Sequence, residues 1–386
     1  MTETATRGFL PAALAAAGLL LAAASAAAAD LPKHLAWTAY DVGSSGYAQA
    51  VGIGAALKNE RGITLRVLPG KNDVSRLVPL RDGKVHFAAF GVGAIQAIEG
   101  TDTFGGRDWG PQEVELLAMS NPDSCSHLLI AGDIGVKSVA DLRGKRIAWV
   151  KGAPGLNHNA YSILQFAGLG WDDVQKVEFG GYGGSFDGLV EGRVDAVFTV
   201  STSGGAVKAF SGPRGAVWVP LPHDDAAGWQ RMMQASPFYY KQICREGAGV
   251  DKPFEAAAYP YPILIAYRTQ DADMVHAMTK TMFDLYPVYK DAAPGASGWA
   301  LDRQVLTWSM PYHEGAIRYY KEAGQWTPEA QAHNEALRAR QKLLLDAWKG
   351  YTASAPADEA AFAKGWQKAR LAALEKAGLN PIWREW

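Results

Sequence analysis

Between Leu35 and Val200 short apolar runs alternate with segments of helical periodicity, and this alternation limits the fold more than any other feature. Leu35–Tyr40, Ile63–Leu68, Phe87–Phe90, Val114–Met119, Leu128–Ala131, Arg146–Val150, Val177–Phe179 and Ala196–Val200 read as strands. Tyr47–Asn59, Val74–Arg81, Ser138–Leu142, Asn159–Phe166 and Phe186–Glu191 read as the helices between them. Such a succession predicts α/β architecture with parallel sheets and crossover helices. A second set begins near Asp123, and one more strand, Ile263–Tyr267, follows Pro260. Helices are expected over Ala272–Tyr289 and Trp299–Trp308, and past Tyr312 the pattern is almost entirely helical, divided near Pro356.

Composition removes several function classes. The chain has 386 residues, and its 48% apolar content rules out disorder. The 38 basic and 39 acidic residues nearly cancel, so the basic face of a nucleic-acid binder is not expected. Two cysteines, Cys125 and Cys244, exclude a disulfide-built scaffold or a Cys-rich metal site; they leave either one bridge or a free buried pair. The eight histidines form no HxH or HExxH pair, and no G-x-S-x-G elbow occurs. No metal, cofactor or catalytic constellation is expected.

The first residues form a separate unit. Arg7, an apolar run from Phe9 to Leu21 and an alanine tract ending Ala27-Ala28-Ala29 read as a secretory signal peptide over residues 1–29, cut near Ala29. Export to the periplasm is the expectation.

In open α/β sheets ligands collect where strands end and helices begin. Four such loops stand out. Asp41–Tyr47 supplies Ser44, Ser45 and Tyr47 at a helix start. Gly70–Asp73 leads into a helix carrying Arg76, which suits a carboxylate, with Asn72 and Asp73 beside it. Lys151–Asn159 offers Asn157, His158 and Asn159 as donors, and Thr199, Ser201 and Thr202 close a strand with hydroxyls. The same residues also serve as helix caps and turn formers. Their neutral polar character favours binding over acid–base catalysis.

These segments resemble the TAXI solute-binding subunits of tripartite ATP-independent periplasmic (TRAP) transporters, from about Trp37 to Gly324. Gly43-Ser44-Ser45-Gly46-Tyr47 resembles the family's Gly-Thr/Ser-x-Gly-Val-Tyr-Tyr loop. Gly135–Arg146 resembles its Gly-Ile-Lys-Ser-Leu-Ala-Asp-Leu-Lys-Gly-Lys-Arg segment, a run that other binding proteins share. Asp73-Val74, Pro154-Gly155 and Gly192–Phe198 match further stretches. The most specific match is Pro311–Gly324, similar to Pro-Leu-His-Pro-Gly-Ala-x-Arg/Lys-Tyr-Tyr-Lys-Glu-Ala-Gly.

The resemblance implies a two-lobed periplasmic binding protein fold, type II-like, with a helical C-terminal extension. Lobe one would comprise residues 31–122 plus 260–324, lobe two 123–259, and the extension 325–386. The implied function is capture of a small organic acid between the lobes and delivery to a TRAP membrane permease. A binding protein of an ATP-driven importer, a sensor subunit and a periplasmic enzyme are the rivals. Three departures alter the pocket: Ala48-Gln49 replaces the family's Tyr-Tyr, Leu156-Asn157-His158 replaces hydroxyl residues, and Arg76 stands where Asn is frequent. A glutamate or 2-oxoglutarate pocket therefore does not transfer intact. The tryptophans of the extension, Trp348, Trp366, Trp383 and Trp386, are expected to anchor it on a lobe.

Overall fold

The computed structural model describes residues 1–2 and 31–384. Residues 3–29 of the expected signal peptide, and Trp386, lie outside them. The chain begins with β1 (His34–Ala39), α1 (Ser45–Arg61), β2 (Thr64–Pro69), α2 (Asp73–Arg81), β3 (Phe87–Phe90), α3 (Gly93–Glu99) and β4 (Val114–Met119). It continues through β5 (Ser126–Ala131), β6 (Arg146–Val150), α4 (Pro154–Phe166), β7 (Gln175–Phe179), α5 (Tyr182–Val190), β8 (Ala196–Val200), α6 (Gly204–Ser211), β9 (Ala216–Val217) and α7 (Ala226–Ala235). Then come β10 (Tyr240–Cys244), β11 (Phe254–Ala258), β12 (Ile263–Tyr267), α8 (Ala272–Asp284), α9 (Tyr286–Tyr289), α10 (Glu314–Glu322), α11 (Pro328–Thr352) and α12 (Glu359–Lys376).

The strands form two five-stranded sheets, ordered β2-β1-β3-β12-β4 and β7-β6-β8-β5-β9, plus the antiparallel pair β10-β11. Each large sheet is the centre of one lobe. The chain leaves the first sheet after β4 and returns to it with β12.

The sheets are mixed, which corrects the expectation of parallel ones. β5 runs antiparallel to β8, and β12 antiparallel to β3 and β4. Each of these is the first strand after a crossing between lobes. Ser126 enters opposite Val200, and Ile263 enters opposite Phe90, both at the carboxyl ends of the strands they meet. A strand arriving at that end must run the opposite way. The carboxyl ends therefore face the crossings, and the interlobe cleft opens there.

The expected helix over Trp299–Trp308 is also corrected. Only two 3-10 turns form, Ala296–Trp299 and Leu301–Arg303. The side chains of this stretch are claimed by separate partners. Trp299 Nε1 donates to Gln49 Oε1 (2.8 Å), and Arg303 Nη1 to the Asn121 carbonyl (3.0 Å). Tertiary anchors override a weak helical pattern.

Cys125 and Cys244 form a disulfide, with Cα atoms 5.2 Å apart, tying the start of β5 to the end of β10. The segment resembling the TAXI signature is scaffold. Tyr320 Oη donates to the Leu117 carbonyl (3.0 Å), and His313 Nδ1 accepts from Gly315 N (3.2 Å) to cap α10. Among the described residues no helix is long and apolar enough to cross a membrane.

The extension wraps the first lobe. Trp366 is fully buried and donates from Nε1 to the Gly100 carbonyl (2.6 Å). Arg340 grips the Glu99 carboxylate through Nε (2.6 Å) and Nη2 (2.9 Å), and Arg370 pairs with the same carboxylate. Beyond α12, Trp383 reaches the second lobe, donating to the Ala235 carbonyl (3.0 Å) and meeting the His158 ring edge-on.

Candidate functional site

The cleft is lined by Tyr40 after β1, Ser45 at the start of α1, Asp73 and Arg76 in α2, and Gly91–Gly93 after β3. From the other side come Gly155, Leu156 and Asn159 of α4, Tyr182 of α5, and Phe198–Val200 ending β8. Tyr259 and Tyr261 enter from the returning crossover. Several tyrosine rings thus surround one buried ion pair.

Arg76 is held on every side. Its guanidinium lies between the Tyr40 and Phe90 rings, with centroids at 4.1 and 4.0 Å. Nη2 pairs with Asp73 Oδ1, and Nη1 donates to the Ala89 carbonyl (3.0 Å). Nε has no partner. The other Asp73 oxygen accepts from Gly155 N of the second lobe at 2.8 Å, where α4 begins. Burial pushes the Asp73 carboxyl up despite Arg76 and this amide. The pair brings no net charge to the cleft.

Two further buried atoms face no protein partner. The Tyr40 hydroxyl is one, and Asn159 Oδ1 is the other, while Asn159 Nδ2 donates to Tyr259 Oη (3.0 Å). By contrast the Tyr182 and Thr199 hydroxyls bond each other (2.7 Å).

The lobes are closed. Gly183 N donates to Asp41 Oδ2 (3.1 Å), Tyr182 N to the Lys71 carbonyl (3.1 Å), and Val74 N to the Gly152 carbonyl (3.2 Å). A Cβ on Gly155 would lie 2.5 Å from Gly93 N, so closure at this contact needs glycine. The remaining cavity is about 30 Å³, room for one or two waters. Entry of an organic molecule requires the lobes to part.

Of the residues expected at the site, Ser45, Asp73, Arg76, Asn159 and Thr199 line the cleft. Others sit close by with structural partners. Ser44 Oγ caps α1 by accepting from Tyr47 N (3.1 Å), and the Tyr47 ring packs on the core. Asn72 Oδ1 caps α2 from Ser75 N (2.8 Å), and Nδ2 crosses to the Lys151 carbonyl (3.0 Å). Thr202 donates to Ser45 Oγ (3.0 Å) across the lobes. Ser201 Oγ accepts from Cys125 N (3.1 Å) and donates to the Glu246 carbonyl (2.7 Å).

Asn157 and His158 stand elsewhere. Asn157 bonds both the amide (2.8 Å) and the carbonyl (2.9 Å) of Val150, closing its own turn. His158 faces Trp383, and its Nε2–H donates to the Ala235 carbonyl (2.9 Å), which the Trp383 indole N–H also reaches (3.0 Å). Burial lowers the His158 pKa to about 4, keeping the ring neutral. A helix places i and i+2 on different faces, so Asn157 and Asn159 cannot both look into one cleft. The tyrosines are the residues sequence reading missed. Their signal was position: Tyr40 directly follows a strand, and Tyr259-Pro260-Tyr261-Pro262 directly precedes one.

The chain is similar in fold to solved binding proteins at low identity. The alkanesulfonate-binding protein SsuA from Xanthomonas axonopodis pv. citri, bound to MOPS, is 14% identical, with 93% of this chain and 99% of that one covered and a TM-score of 0.45. An ancestral arginine-binding protein bound to arginine is 14% identical over 70% and 99%, with a TM-score of 0.41. A putative L-cystine ABC transporter from Listeria monocytogenes is 12% identical over 70% and 99%, with a TM-score of 0.42. A family model matches residues 39–324, which is more than half of the chain and spans both sheets. The chain therefore belongs to the NMT1-like family.

Proposed function

We propose that this chain is a periplasmic solute receptor that captures a small organic acid between its lobes and releases it unchanged to a membrane permease. The permease in this reading is that of a TRAP transporter, and the chain its TAXI-type subunit. Lobe one spans residues 31–122 and 260–324, lobe two 123–259, and the exported chain begins near Asp30.

One observation carries the reading: a cleft walled by both lobes in which Arg76 Nε, Tyr40 Oη and Asn159 Oδ1 are buried without partners. Each such atom costs about 1–3 kcal/mol, and a bound solute relieves that cost. Arg76 Nε–H and the Tyr40 hydroxyl are donors suited to a carboxylate. Asn159 Oδ1 accepts, so the acid should also carry a donor, such as a hydroxyl or amino group. Neutralisation of Arg76 by Asp73 makes the attraction local hydrogen bonding, not steering by net charge.

Native mass spectrometry of the purified exported chain, with its co-purifying solute, tests this. A small carboxylate bound one to one supports it, as does co-isolation with TRAP membrane subunits. A solute without a carboxylate overturns the acid. Turnover of the solute overturns the receptor. Co-isolation with an ATP-driven importer or a sensor kinase overturns the TRAP assignment.

A further inference from the structure

Beyond the cleft, a groove of about 1220 Å³ lies where the first lobe, the second lobe and the extension meet. It is separate from the Arg76 site. Its first-lobe wall carries Gln96, Thr101 and Asp102; its second-lobe wall carries Trp149, Tyr161 and Trp171; the segment around Trp383 closes one end.

The first-lobe wall is short of hydrogen-bond partners. Gln96 is 3% exposed and Thr101 is 1% exposed, yet Gln96 Oε1 and Thr101 Oγ1 bond nothing. Leaving such groups unmade is costly. Asp102 stands beside them with φ at +52°, the one non-glycine residue with positive φ among the described residues. Strain of that kind persists only where surroundings impose it. Its Oδ1 accepts from Thr103 N (2.6 Å) and Thr103 Oγ1 (3.0 Å), which leaves Oδ2 for an occupant. Burial pushes this carboxyl up against the two hydrogen bonds from Thr103. An amide oxygen, a hydroxyl and a carboxylate together call for a positively charged donor.

The opposite wall is aromatic and half-buried. Trp149 and Trp171 meet edge-on at 5.0 Å. Lys176 Nζ already rests 5.2 Å from the Trp149 centroid, so that ring accepts an ammonium. The volume exceeds the roughly 300–1,000 Å³ usual for compact ligands, which suits an extended molecule. We propose that the groove is a second ligand site for an extended organic amine. One ammonium sits on Gln96, Thr101 and Asp102, and the hydrocarbon chain lies along Trp149, Tyr161 and Trp171.

The test is calorimetric titration of the full exported chain with spermidine, using maltotriose as an uncharged control of similar reach. Asp102→Asn removes the charge while asparagine tolerates the positive φ. Trp171→Leu removes a ring face and keeps apolar bulk. Spermidine is expected to bind the native chain, and each substitution to weaken it about tenfold. Tyr40→Phe, in the cleft, is expected to leave spermidine affinity unchanged. Absence of spermidine binding overturns the proposal, as does retention of native affinity by both groove variants. Preference for maltotriose overturns the amine and makes the groove a saccharide site.

Discussion

Tyr40 shows how a single atom separates binding from stability. Its ring supports Arg76 by the face, but its hydroxyl is buried without a partner. Tyr40→Phe keeps the ring and deletes the unpaired oxygen. If the hydroxyl serves the solute, affinity should fall about tenfold while the melting temperature holds or rises slightly. Calorimetry and thermal unfolding of the same sample read both. Unchanged affinity would remove Tyr40 from the site. In the sequence Tyr40 reads as the last residue of the first strand, so its place at the strand end was its one signal. Arg76 was visible, since an arginine one turn into a loop-fed helix suits a carboxylate. Its partner was also visible, but the role of Asp73 as a link to Gly155 in the other lobe needed the fold.

At the level of elements, legibility followed exposure. β3, β4, β6, β8 and β12 have the limits read from the sequence, because short buried strands make compact apolar runs between polar turns. α3 was missed, for the same reason turned round. All seven of its residues are buried, so it has no polar stripe to mark a helical period. The extension read correctly as helices with tryptophan anchors, of which Trp366 is one, but its ionic anchoring was not read. Glu99 and Arg370 resemble surface charges in sequence and are 271 residues apart, yet they pair in the core. Burial pushes the Glu99 carboxyl up, but Arg340 and Arg370 outweigh it and hold the carboxyl below its usual value near 4.5. A depressed acid stabilises the fold above its unfolded pKa and loses that contribution as pH falls through the folded one. Glu99→Gln should cost about 3–5 kcal/mol at neutral pH by removing the buried negative charge that two guanidinium groups share. The gap to the native chain should narrow below about pH 4.5, as measured by urea unfolding. A gap independent of pH would mean that Glu99 does not clamp the extension through its charge. The disulfide is a second element-scale anchor. It closes a loop of 119 residues, so Cys125→Ser with Cys244→Ser should lower stability by about 2–5 kcal/mol. A reductant should reproduce the loss in the native chain and leave the double variant unaffected.

For the whole molecule the deciding property is the two-lobed chain path, and its consequence is a cleft that must open and close. Both crossings run from sheet to sheet at the carboxyl strand ends, so the lobes share a boundary, which several hydrogen bonds cross. At one point on it Gly93 meets Gly155, each without a side chain. Gly155 is the second residue of α4, and its φ is not among the positive ones, so alanine suits the local backbone and even favours the helix. What alanine cannot do is let the lobes meet, since its Cβ would fall 2.5 Å from Gly93 N. Gly155→Ala should therefore leave the melting temperature of the free chain nearly unchanged while weakening solute binding about tenfold or more, because closure must now bear the clash. Affinity alone does not separate a blocked closure from a blocked pocket, since Gly155 also lines the cleft. Small-angle scattering at saturating solute separates them. A closure block leaves the saturated variant larger than the saturated native chain, whereas a pocket block leaves the two the same size once both are filled. Equal size with reduced affinity would confine Gly155 to the pocket, and full affinity would mean that solute binding does not draw these two glycines together.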